Sequence, residues 1–80
     1  MARSRAMSQS EMQAFERAAE EAYEAMYDAR RPKDCYEDAM SAFYKAIEAA
    51  KKAGLQGEAD RLSRRRDHVR NVYTHQFRGF

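Results

Sequence analysis

Two histidines, His68 and His75, stand seven residues apart with Asp67 and Asn71 nearby, and metal ligation is the first chemistry such a group could offer. A metal site needs three or four ligands converging from fixed positions. Seven helical residues place two side chains about 10 Å apart along the axis, too far for one ion held by one helix. A site would need completing across a dimer, so two solvated histidines are expected. Glu16, Glu20, Glu21 and Glu24 supply carboxylates for acid–base work or a di-metal bundle. Those chemistries need inward-facing acids with histidine partners, and these acids lie off the apolar stripe of their segment. Cys35, the only cysteine, sits near Lys33 at an expected helix start, a setting that lowers a thiol's pKa. No resolving cysteine or positioned base accompanies it. A lone thiol also excludes an internal disulfide and a cysteine-based zinc site. Glycine-rich phosphate loops, nucleophile elbows and paired-cysteine motifs are absent. The expectation is a non-enzymatic chain with no catalytic residue, no cofactor and no metal.

Arginines and tyrosines offer recognition rather than catalysis. Arg61, Arg64, Arg65, Arg66 and Arg70 form a basic block. It could neutralise nucleic-acid phosphates or an acidic partner. Alternatively it is a solvated helix face, salt-linked to Asp60, Asp67 and the acidic first segment, with the Arg65 and Arg66 stems covering core edges. Tyr23, Tyr27, Tyr36, Tyr44 and Tyr73 are many tyrosines for a chain without tryptophan. Tyr27 and Tyr44 fall off the apolar stripes, where tyrosine serves either edge packing or an interface. Tyr27, Tyr44, Arg61, Arg64, Arg65 and Arg70 are therefore the candidate partner-binding residues.

The elements that position these side chains follow from the breakers. One proline, Pro32, and the glycines Gly54, Gly57 and Gly79 divide the chain into three segments. In the first, Ser8 and Glu11 read as a capping box and Met7 and Met12 as a hydrophobic staple. Met12, Phe15, Ala19, Ala22 and Met26 then recur at spacings of three and four, an apolar stripe widened by Tyr23. The pattern fades before Pro32, whose preceding residue resists helical geometry. The second segment opens at Asp34 with Glu37 as a capping pair. Tyr36, Met40, Phe43, Ile47 and Ala50 form its stripe; Gly54 supplies a left-handed cap and Leu55 the accompanying contact. Ala59, Leu62, Val69, Val72 or Tyr73, and Phe77 mark the third, with Gly79 ending it. Helices are expected over 8–30, 34–53 and 57–77, with residues 1–7 a flexible N-terminal segment and 8–78 one domain. Short loops between helices of equal length force antiparallel neighbours. The fold class is all-α: a three-helix up-down-up bundle, or a helical hairpin with a docked third helix. The core should contain Phe15, Ala19, Tyr23, Met26, Tyr36, Met40, Phe43, Ile47, Leu62 and Val69.

Eighty residues make one domain. Hydrophobic residues at 44% and charged residues at 35% are too apolar for disorder and too charged for a membrane protein. No window supports a transmembrane helix, and MARSRAMSQS holds no apolar signal core, so a cytoplasmic location is expected. Net charge is +2, distributed as +2 over residues 1–10, −3 over 11–53 and +3 over 54–80. Opposite charge on neighbouring helices helps them pack and offers partners two different faces.

Tyr36-x2-Ala39-x3-Phe43-x2-Ala46-Ile47, followed by Gly54, resembles the second helix of a tetratricopeptide repeat over roughly residues 36–54. The resemblance implies a helical hairpin serving as a protein-interaction scaffold. The first helix departs from that family, with Glu24 or Tyr27 where a glycine is wanted, and one hairpin makes no array. The chain is also similar to the microtubule-interacting-and-transport domain, a free-standing three-helix unit of this size. The expected function is a small helical protein–protein interaction module with a protein partner, with a homo-oligomer open and no membrane. The alternative is a nucleic-acid-binding protein using the arginine-rich third helix.

Overall fold

The computed structural model describes the backbone of residues 2–77 and the side chains of residues 9–77. Three helices carry the fold: α1 (Ala2–Ala25), α2 (Pro32–Lys52) and α3 (Gln56–Val72), the last continued by a π-helical turn over Tyr73–Phe77. Among the described residues there is no strand.

Helix α1 does not begin at the Ser8 box. Its backbone is helical from Ala2, so Ser8 lies inside the helix and residues 2–7, expected as a separate flexible segment, continue it. The reason is local: Ala2–Met7 contains neither proline nor glycine, and a Ser-x-x-Glu match caps a helix only where the preceding chain leaves it. The staple contact of Met7 lies outside the described residues. The other end comes earlier than expected, at Ala25. Tyr27 and Asp28 donate to the carbonyls of Glu24 and Ala25, each at 3.2 Å, a tightening to three-residue hydrogen bonds that closes the last turn.

Helix α2 likewise starts two residues before Asp34. Pro32 takes the first helical position, where its fixed φ is already helical and its missing N–H costs nothing. Arg31 before it is held out of the helix at φ −122°, ψ 82°. Asp34 is then a first-turn acid favoured by the helix dipole rather than a cap. The far end follows expectation: Gly54 adopts φ 76°, its N–H reaches the Lys51 carbonyl at 3.0 Å and the Leu55 N–H reaches Ala50 at 2.9 Å. This pair of bonds is the Schellman arrangement, and Leu55 packs against the core.

Helix α2 is the central element. It buries Ala39, Phe43, Ala46, Ile47, Ala49 and Ala50, a face wide enough for two neighbours. Four alanines among them let the partner axes come close. Met12, Ala19 and Met26 of the first helical hairpin arm and Ala59, Leu62 and Val69 of α3 complete the buried cluster. Phe15, Tyr23, Tyr36 and Met40, expected inside, are half-buried at its edge. Alanines fill the space between the axes, leaving the larger rings to lie along the seam.

Candidate functional site

The arginine block is the first place to look for function, and two of its members are already occupied. Arg61 donates from both terminal nitrogens to the carboxylate of Glu16 at 2.8 and 2.9 Å, and from Nη2 and Nε to Glu58 at 2.6 and 3.0 Å. Arg65 donates to both oxygens of Glu20 at 2.8 Å and lies 5.1 Å over the Tyr23 ring. His68 meets Tyr23 edge-on at 6.5 Å. The pairs 16–61, 20–65 and 23–68 share one constant offset, so α1 and α3 run parallel and the up-down-up order is fixed. Hydrogen bonds from Arg61 hold the Glu16 carboxyl below its ordinary value, and the Glu20 bonds raise Arg65 further. Paired forks of this kind leave few donors for phosphate. Arg66 and Arg70 both lean on Asp67, at 3.2 and 3.9 Å. Arg64 is exposed without an ion pair among the described residues.

The two candidate tyrosines part company. Tyr44 is 61% exposed on α2 and joins no aromatic group among the described residues. Tyr27, 52% exposed, belongs to a network at the end of the molecule where α1 stops and α2 starts. Its ring meets Tyr23 at 5.7 Å and Phe77 at 5.3 Å, both edge-to-face. Phe77 lies nearly parallel to Tyr73 at 6.4 Å, and Tyr73 stacks on Tyr36 at 4.0 Å. Tyr23 and Tyr27 share a hydroxyl hydrogen bond of 3.1 Å; that bond, then burial, raises the Tyr23 pKa. Both Tyr73 and Phe77 belong to the π-helical turn, which carries them against Tyr36 of α2 and Tyr27 beyond the end of α1.

Two hollows adjoin this aromatic end. A cleft of about 380 Å³ lies between the start of α2 and the π-turn, with Arg30, Arg31 and Lys33 on its rim and Tyr73 and Phe77 as a wall. A smaller hollow of about 230 Å³ is lined by Met26, Tyr27, Ala29, Pro32 and Phe77, with Arg30 at its edge. Sequence reasoning passed over Arg30, Arg31 and Phe77 as site residues. The signal was the cluster Arg30-Arg31-Pro32-Lys33, three cations around a helix-starting proline, which reads as a linker until the π-turn is seen opposite.

His68 and His75 are exposed, and Cys35 is half-buried against the core. Among the described residues no three histidine, cysteine or acidic side chains converge as a metal would need, and no helix is long and apolar enough to cross a membrane. No known family model, curated protein or solved structure matches the chain.

Proposed function

We propose that this chain is a non-enzymatic helical module that binds another protein through its aromatic end. One observation carries the reading: Tyr23, Tyr27, Tyr36, Tyr73 and Phe77 form a connected set of rings, four of them half-buried along the core edge and Tyr27 52% exposed, whereas among the described residues Phe43 is the only aromatic in the set of largest fully buried side chains. Tyrosine that stays exposed, as Tyr27 does, is a residue type that interfaces concentrate. The hairpin resemblance to tetratricopeptide repeats points the same way. The nucleic-acid alternative has less support, because Arg61 and Arg65 are held by Glu16 and Glu20.

The test is affinity capture from native cells with the whole chain as bait, set beside a Tyr27→Ala/Phe77→Ala bait of equal helix content by circular dichroism. A partner retained by the first and lost by the second is the expected result. Equal capture by both would move the interface elsewhere.

A further inference from the structure

The two hollows share Arg30, Pro32 and Phe77, so they form one depression divided by a ring. Its halves differ in chemistry. The smaller half is walled by Met26, Tyr27, Ala29 and Pro32. On the larger, Lys33 faces Glu37 at 4.0 Å and is offset by it. Arg30 and Arg31 are exposed and make no ion pair among the described residues. Asp34 is the one further acid on that rim.

We propose that this divided depression docks an acidic segment of a protein partner, with one apolar side chain in the smaller half and carboxylates against Arg30 and Arg31. The proposal rests on the interaction reading above and narrows it to a partner chemistry. Charge complementarity selects the acid: two exposed guanidinium forks are suited to bidentate carboxylate pairing, which Arg61 and Arg65 perform within this same molecule. Size selects the anchor. At about 230 Å³ the smaller half lies below the range of small-molecule sites and suits a single side chain, as interface anchors do. A polyphosphate offers no apolar side chain for the smaller half.

The experiment is display selection of random decapeptides on the whole chain, followed by fluorescence anisotropy with the best enriched peptide. Acidic sequences with one invariant Leu, Met or Phe are expected. Their binding should weaken at least about tenfold in Arg30→Glu/Arg31→Glu, the loss of a hot-spot contact, and change less than about twofold in Lys52→Glu, an exposed charge at the opposite end of α2. Both arginines are exposed loop residues, so the fold should survive their reversal; Phe77→Ser serves as a second, apolar lesion. Basic enriched peptides, or acidic ones indifferent to the Arg30/Arg31 reversal, would overturn the cleft while leaving an interaction module standing. No enriched peptide at all would overturn both. A mixed-sequence 12-mer DNA that displaces the peptide at physiological salt would hand the cleft to nucleic acid instead.

Discussion

At the scale of single residues, Phe43 is the clearest test of the core. It is fully buried, at the centre of the α2 face that both other helices cover. Truncation leaves a cavity that alanine-rich neighbours cannot collapse into, so Phe43→Ala should cost about 3–5 kcal/mol. Against a total of about 4–12 kcal/mol for a chain this size, urea melts should show a large fall in midpoint. Glu16 supplies a pH test. Its folded-state pKa is depressed by the Arg61 hydrogen bonds, so the unfolded chain binds the proton more readily. The stabilisation is therefore present above the unfolded value near 4.3 and disappears as pH falls through the lower folded one. Melting temperature should drop on acidification from about pH 5 to 3, and Glu16→Gln should flatten that part of the profile. An unchanged slope would mean that Arg61 adds nothing to Glu16 in solution. The existence of salt links between the arginine block and the acidic first helix was legible in the residue types. Which acid meets which arginine was not, since that depends on the register of two helices 45 residues apart.

The three helices and their order were legible from apolar stripes and breakers, and the third helix starts within one residue of expectation, yet the first two start earlier than their capping residues imply. Ser8 and Asp34 carry good capping chemistry, but capping chemistry permits a helix end without compelling one. Ala2–Met7 holds no breaker upstream of Ser8, and Pro32 is a better first residue than Asp34. Gly54 was read correctly because positive φ is a demand that few residues other than glycine meet. The two glycines flanking the last turn should thus respond in opposite ways. Gly54, at φ 76°, should lose about 1 kcal/mol as Gly54→Ala, the cost of a left-handed alanine. Gly57 lies in the first turn of α3 with open space where a Cβ would go, so Gly57→Ala should gain about 0.5 kcal/mol from backbone entropy and helix propensity. Thermal melts of the pair read both signs at once. The π-turn left no periodic mark, because Tyr73 and Phe77 at a spacing of four fit an ordinary helix equally well. The site it builds was invisible for that reason.

For the whole molecule, the question is whether a basic third helix makes the chain a binder of polyanions. The helix is an arm of a charge-paired assembly: α1 and α3 run parallel and meet largely through Arg61–Glu16 and Arg65–Glu20, bidentate contacts across the seam. Binding phosphate with those forks would require breaking them, and the net charge of +2 gives little long-range attraction. Neutralised phosphates release counterions, so genuine binding through about four contacts would give a log–log salt slope near −3 to −4 on duplex DNA. Negligible affinity at physiological salt is expected instead. Arg64 and Arg65 then separate the two roles. Both would weaken a phosphate contact alike, but only Arg65 crosses to α1. Arg65→Ala should lower stability by about 1 kcal/mol, roughly 4–8 °C in a domain this small, with part of the loss erased in high salt. Arg64→Ala should stay within about 0.5 kcal/mol of the parent. A double-mutant cycle of Glu20→Ala with Arg65→Ala measures the coupling directly. A coupling near zero, together with salt-steep DNA binding that falls equally in both arginine variants, would make α3 a nucleic-acid face after all.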